Sequence, residues 1–405
     1  MTRDKLPISQ FELVSLLAML SATVAFSLDA MLPALPQIGD ALSPDAPNKA
    51  QLVVGSFVVG LGIGTFFTGA LSDAYGRKPV AVGGAVIYCI AALVAALSPN
   101  LETLLAARFV QGLGAAGPRV TAMAISRDLF SGRRMAQVMS YVIFVFTLTP
   151  IFAPTLGWLI ALAFGWRGIF ASFAVFSFIS MFWLLVRLPE TLDPDKRRPF
   201  RLAKLMEGAR EVLGNRRVVL ATLVQTLIFG TLFSGLASSQ QIFGEVFDRE
   251  DSFPLWFGLM ALLASGSNLI NAKIVLTLGM HEVVRRVLLA QGGFTLIYLI
   301  LQTFGVIPDS LAFPLAFLWL TSIFYLAGFG IGNMNALALE PLGHMAGLAA
   351  SIITAFATIG AAIISVPIGL SFDGSVLPLT LGVGLCVGCA LLILRSVEAD
   401  SQATA

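Results

Sequence analysis

Three charged side chains stand inside apolar runs of the sequence: Asp29 in ATVAFSLDAMLPALPQIGD, and Arg108 and Arg119 in RFVQGLGAAGPR. A charge in such a run is costly and by default marks function. Asp29 is the one carboxylate well inside a run. Enclosed in a low dielectric, its charged and neutral forms come close in energy, which suits it to take up and release a proton. The competing placement is the outer headgroup region, because Pro33 and Pro36 soon end the helix. Arg108 begins its run, and Gln111, one turn on, is placed to share its hydrogen bonds. Its competing reading is a guanidinium that snorkels to the outer end, close to Glu102. Arg119 follows three helical turns later on roughly the same face, near the bilayer middle. It is expected to face a central cavity and to pair with an acid or bind an anionic group.

The elements that must hold these charges are membrane spans. The chain has 405 residues, 57% of them hydrophobic and 12% charged, with mean hydropathy +0.88. A soluble chain carries about 25% charged residues. Apolar runs of roughly 20 residues, enough to cross a bilayer as a helix, recur from end to end. Twelve spans are expected near 11–33, 50–71, 79–97, 101–126, 135–163, 167–188, 218–243, 254–277, 284–304, 311–337, 345–370 and 376–395. The charge-rich stretch from Pro189 to Arg217 divides them six and six. It contains LAKLMEGAREVLG, with Leu202, Leu205, Met206, Ala209, Val212 and Leu213 at helical spacing. That pattern reads as a helix lying on the membrane surface. The first run is too long for a signal peptide h-region and is expected to stay as a span.

Orientation follows from Lys and Arg. With the N-terminus inside, the cytoplasmic segments hold Arg3, Lys5, Arg77, Lys78, Arg127, Arg133, Arg134 and nine more between Arg187 and Arg217. Lys273, Arg285, Arg286 and Arg395 complete twenty of the 25 basic residues. Lys49, Arg167 and Arg249 fall outside. The net charge of +2 gives no reason to expect nucleic acid. Cys89, Cys386 and Cys389 sit in apolar runs and read as small helix residues, not a redox or metal pair. The halves echo each other: RFVQGLGAAG aligns with FYLAGFGIGN, and RMAQVMSYV with HMAGLAASI. Such weak internal repeats are expected of transporters with a midplane site.

The stretch GALSDAYGRKPV, Gly69 to Val80, concentrates Asp73, Arg77 and Lys78 in the short turn between spans two and three. Gly76 suits a tight turn and Pro79 the first turn of a helix. Arg77 and Lys78 serve as inside anchors, whereas Asp73 needs a partner. The stretch resembles the signature loop G-x-L-[AS]-D-x-x-G-R-[KR] of the major facilitator superfamily. The resemblance implies an all-α polytopic fold, with 12 transmembrane helices in two six-helix bundles related by pseudo-twofold symmetry. The expected domains are 1–188, a linker at 189–217, and 218–405. It further implies that Gly69, Asp73, Gly76, Arg77 and Lys78 form a conformational latch, with the eleventh helix as the partner of Asp73. The matching place in the second half has Leu276 instead of Asp73, so the latch looks one-sided.

Other motifs extend the resemblance over nearly the whole chain. RFVQGLGAA resembles R-x-x-Q-G-x-G-x-A, which implies that Arg108 assists proton coupling. TPIFAPTLGW, with Pro150, Pro154 and Gly157, resembles the antiporter motif, although Ala153 and Trp158 replace expected glycines. D-x-x-L-P-A-L-P at Asp29, FGWRGIF and NALALEPLGHMAG are similar to the bicyclomycin-resistance (Bcr/CflA) branch of drug/proton antiporters. Polar residues Tyr141, Gln225, Asn333 and Asn335 join Arg119 and Gln111 as cavity candidates; their competing role is bonding between helices. The glycine clusters GLGIG and GFGIG lie within spans and read as helix packing, not nucleotide loops.

The expected function is proton-coupled export of small, partly apolar compounds by alternating access, in a multi-pass bacterial inner membrane protein with both termini cytoplasmic. The alternative is a proton-coupled uptake symporter for an anionic metabolite. The expected partners are a small-molecule substrate, the proton and the lipid bilayer, with the chain acting as a monomer. No cofactor, metal or enzymatic activity is expected; the two histidines, His281 and His344, lie near the cytoplasmic face.

Overall fold

Local chemistry sets the helix ends. Asn100 caps its helix by accepting the Thr103 amide at 2.8 Å, and Asn215 accepts that of Val218 at 3.2 Å. Ser9 does the same for Glu12 at 3.1 Å. The computed structural model describes residues 8–403. Arg3 and Lys5 of the charge argument lie outside them.

The helices are α1 (Gln10–Asp29), α2 (Leu35–Leu42), α3 (Leu52–Tyr75), α4 (Arg77–Ala96), α5 (Leu101–Leu129) and α6 (Gly132–Arg187). Then come α7 (Leu202–Gly214), α8 (Arg216–Gln241), α9 (Phe253–Leu278), α10 (Met280–Thr303), α11 (Asp309–Leu339), α12 (Ala346–Leu370) and α13 (Leu377–Ala403). Helix α6 is broken at Gly165, where φ is +69°, and so supplies two spans. With that break, and with the short α2 and α7 set aside, the described residues form twelve long helical segments. No strand occurs among the described residues.

The first span stops four residues short of its expected end. Pro33 has no N–H to give the carbonyl of Asp29, and proline disfavours helical backbone at the residue before it. The chain therefore leaves α1 at Asp29, makes a 3₁₀ turn at Leu32–Ala34 and enters α2.

Two units make up the chain. One comprises the residues up to Asp45 together with Leu52–Met206; the other comprises Ala46–Gln51 with the chain from Glu207 onward. In the first, Leu13, Leu16, Leu17 and Leu20 of α1 pack with Ala122, Ile125 and Leu129 of α5 and with Val138, Val142 and Leu184 of α6. Helix α4 shows how a membrane helix sorts its faces. It buries Ala81, Ala85, Ala91, Ala92 and Ala95 and exposes Val86, Ile87, Ile90, Leu93 and Val94. Small residues allow close helix contact, and the large apolar ones are left for lipid. Gly60 and Gly64 of α3 lie against the α5 backbone at Phe109 and Leu113, which is helix packing. In α7 the apolar set divides: Leu205, Ala209 and Val212 are buried, while Leu202, Met206 and Leu213 are exposed.

Candidate functional site

Asp29 is the last residue of α1. It is buried, and the next three residues, Ala30, Met31 and Leu32, have no exposed surface. Its carboxylate has no hydrogen bond or ion pair among the described residues. A helix C-terminus carries partial negative charge, so the position is hostile to a lone anion. The antiporter-like segment touches this helix end. A Cβ on Gly157 would lie 2.6 Å from the carbonyl carbon of Ala30 and 2.9 Å from its Cα. Only a glycine admits α6 that close to the backbone beside Asp29. Pro150 and Pro154 sit inside the same stretch of α6.

Arg108 is completely buried. Its Nε donates to the carbonyl of Val53 at 3.2 Å, Nη1 to Oε1 of Gln111 at 2.7 Å, and Nη2 to the carbonyl of Ser27 at 3.1 Å. The guanidinium carbon lies 4.3 Å from the ring centre of Phe57, with Phe170 and Phe173 farther out. No carboxylate takes part. Its charge is met by two main-chain carbonyls, an amide oxygen and aromatic faces, through charge-assisted bonds worth about 1.5–3 kcal/mol each. The Ser27 hydroxyl donates to the carbonyl of Thr23 at 2.6 Å, which uses its single hydrogen. The short contact between Ser27 and Tyr88 therefore has the tyrosine hydroxyl as donor. Helices α1, α3, α4 and α5 thus meet at one wholly buried polar node.

Arg119 is part-buried in α5 directly after Pro118. It has no hydrogen bond, ion pair or aromatic partner among the described residues, so of the two expected roles, pairing with an acid or binding an anionic group, the described residues supply no acid for the first. Eleven residues at about 1.5 Å each place it about 16 Å along α5 from Arg108. Tyr141 lies in the same unit, half-exposed on α6.

The loop at Gly69–Val80 is a closed ionic knot. Arg77 bonds Asp73 at 2.5 Å, Asp128 at 2.9 Å and the Ser72 hydroxyl at 2.7 Å. Glu190, from the start of the linker, accepts the amides of Arg77 at 3.0 Å, Lys78 at 3.1 Å and Leu192 at 2.9 Å. Its carboxylate therefore caps the N-terminus of α4, where unpaired N–H groups and the helix dipole both favour it. Gly76 has φ +106° and ψ 159°, and a Cβ there would stand 2.5 Å from Oε2 of Glu190. Lys78 donates to the carbonyl of Leu185 at 2.8 Å, near the end of α6. It thereby partners the C-terminal end of that helix.

In the second unit the buried polar side chains within the long helices are uncharged. Gln225 is 2% exposed and its Oε1 has no partner. Ile228 of α8 meets Gly330 of α11, and Gly235 meets Ile323, so the two helices run antiparallel. That register sets Gln225 level with Asn333, whose Nδ2 donates to Asn271 Oδ1 and to the Phe329 carbonyl, both at 2.8 Å. Asn335 carries another unpaired buried oxygen. Lying two residues on, it is turned about 200° away from Asn333. In the same unit, Gln51 donates to Gln241, Gln241 to Asn48 at 2.9 Å, and Asn48 to the Phe372 carbonyl at 2.7 Å.

The sequence candidates thus fall into separate groups. Arg108 and Gln111 are joined, Asp29 lies beside their node, the loop residues form the knot, and Arg119 stands apart. Sequence reasoning missed Ser27, Tyr88 and Phe57 around Arg108, and Asp128 and Glu190 at the loop. Asp128 and Glu190, charged residues at span ends, carried the only visible signal. The cysteines are free thiols.

Residues 16–365 match the Major Facilitator Superfamily. Among curated proteins, the chain is similar to a bicyclomycin resistance protein homolog of Haemophilus influenzae, 28% identical over 390 residues covering 95% of each chain. It is also similar to the multidrug resistance protein MdtL of Salmonella paratyphi A, 30% identical over 375 residues covering 90% of this chain and 89% of that one. Among solved structures, a D-xylose-proton symporter superposes with a TM-score of 0.76 at 14% identity, covering 95% of this chain and 97% of that one. The human organic anion transporter MFSD10 gives 0.68 at 18% identity, covering 96% of this chain and all (100%) of that one. At such identities these two structures speak to the fold alone.

Proposed function

The chain belongs to the Major Facilitator Superfamily, and from that premise we propose that it is a proton-coupled secondary transporter exporting small, partly apolar compounds. The names of the curated relatives, bicyclomycin resistance and multidrug resistance, support export of drug-like molecules. The proposed moving bodies are residues 1–188 and 218–405, joined by 189–217, with both termini on the cytoplasmic side of a bacterial inner membrane. No catalysis or cofactor enters the reading.

One observation carries proton coupling: Asp29 is a buried carboxylate with no partner among the described residues, next to the Arg108 node. In the proposed cycle a proton from outside neutralises Asp29, substrate leaves, and the loop at Asp73 resets by engaging the eleventh span, α12. Gln111, Tyr141, Gln225, Asn333 and Asn335 are proposed to contribute to substrate contact. The test is proton-driven efflux in inverted membrane vesicles across a compound panel, with Asp29→Asn as the control. The variant should insert and fold but lose gradient-driven export. Full-rate export against a gradient by Asp29→Asn would remove Asp29 from the coupling step.

A second reading, proton-coupled uptake of an anionic metabolite, is favoured by the unpartnered guanidinium of Arg119. Direction separates the two: an exporter raises drug tolerance in a pump-deficient strain, whereas an importer supports growth on a nutrient or sensitises to a toxic analogue.

A further inference from the structure

Arg119 lacks a counter-charge among the described residues, and every described acid of its unit is accounted for elsewhere. Glu12 is bonded to Arg187 and Trp183. Asp73 and Asp128 are held by Arg77, and Glu190 by the α4 amides. Asp29 lies at the level of Arg108, because Arg108 bonds the carbonyl of Ser27; that leaves it about 16 Å from Arg119 along α5. Glu102, exposed at the start of α5, is about 26 Å away by the same rise. The remaining described acids of the unit, Asp40, Asp45, Asp193 and Asp195, are exposed and lie outside the long helices. In the second half of the sequence, no carboxylate falls in the middle of a span.

An arginine at mid-span costs about 2.5–3.5 kcal/mol on insertion scales. It persists when something recovers that cost. Arg108 recovers it through carbonyls and aromatic rings; Arg119 has neither. A guanidinium is a planar fork of five N–H donors matched to carboxylate, sulfonate or phosphate oxygens, and it cannot discard its proton. The Gly112–Gly117 run one to two turns away is small-residue apart from Leu113.

We propose that Arg119 recognises an anionic group on the transported compound. The proposal rests on the transporter reading and names its substrate class: apolar molecules carrying a carboxylate, sulfonate or phosphate. The anion is read at a different depth from Asp29. A negatively charged substrate is then kept away from the proton-carrying carboxylate, so the two need not compete for one site.

The test is fluorescence binding to the purified full-length protein in lipid nanodiscs, with dansylglycine and dansylglycinamide as probes. They share one fluorophore and differ in a carboxylate against a neutral amide. The wild type should bind the carboxylate about tenfold more tightly, the worth of one modest charge-assisted contact. Arg119→Gln should bind the two probes equally, and Arg119→Lys, which keeps the charge, should retain part of the preference. Arg119→Gln that keeps the full preference would overturn the proposal. So would a wild type without preference, including one that binds neither probe. The assay uses no proton gradient. Failure of proton-driven export across the vesicle panel would instead count against the transporter reading.

Discussion

Arg108 donates from Nη2 to the main-chain carbonyl of Ser27, two residues before Asp29, and not to the Asp29 carboxylate. The guanidinium therefore reads the position of the end of α1 and not the charge on its last residue. In the proposed cycle, a shift of this helix end on protonation would be felt at Arg108 through a carbonyl. A lysine cannot reproduce that role. Its single ammonium cannot reach Val53, Gln111 and Ser27 in three fixed directions. Arg108→Lys should lose proton-driven export while keeping the formal charge. It should also destabilise the protein by about 2–3 kcal/mol, because buried carbonyl and amide oxygens lose charged donors. Thermal unfolding of the purified variant, measured beside vesicle efflux, checks both. Wild-type behaviour in both would mean that the node is incidental.

Gly157 offers a test of the other contact on the same helix end. Gly157→Ala would push a methyl to within 2.6 Å of the Ala30 carbonyl carbon. Overpacking of this kind costs about 1–3 kcal/mol, and the displaced element is the backbone that carries Asp29. The variant should unfold at a lower temperature and export less per folded molecule. The sharper readout is the pH dependence of efflux, which should move because the surroundings of Asp29 change. A pH profile identical to wild type would limit Gly157 to helix packing.

How far these arrangements were legible in the sequence depends on the range of each interaction. The twelve spans, including the gap between 163 and 167 where Gly165 breaks α6, were written in apolar run length, which acts locally; the first was expected to reach 33 and ends at Asp29. The pairing of Arg108 with Gln111 was legible too, since one helical turn fixes it. What stayed hidden was cross-helix geometry. Nothing local announces that Tyr88 closes on Ser27, or that Glu190, 113 residues from Arg77, caps its helix. Arg119 was expected to pair with an acid or bind an anionic group; that no described acid reaches it follows only from knowing where the other described acids went.

Gln225 separates a functional polar group from a structural one. Its Oε1 is buried without a donor, which costs about 1–3 kcal/mol. Gln225→Leu keeps the volume and removes that cost, so the variant should melt at the same or a higher temperature. If Gln225 serves substrate, export of hydrogen-bonding compounds should fall even as stability rises. A lower melting temperature would show that the amide is satisfied in the folded protein and holds helices together.

The Gly76–Glu190 contact can be weighed by a double-mutant cycle. Gly76→Ala incurs two penalties. One is the backbone conformation at φ +106°, ψ 159°, a region almost reserved for glycine, at about 1–3 kcal/mol. The other is the clash with the Glu190 carboxylate. Glu190→Ala alone loses the cap on α4, worth about 1 kcal/mol. In the double variant the clash is gone but the backbone strain and lost cap remain. The combined loss of stability should therefore be smaller than the sum of the two single losses, by about 0.5–3 kcal/mol for groups in direct contact. Thermal unfolding of the four proteins under one condition gives the coupling. Strict additivity would mean that Gly76 is retained for its backbone angle alone, and that Glu190 caps α4 without dictating the residue beside it.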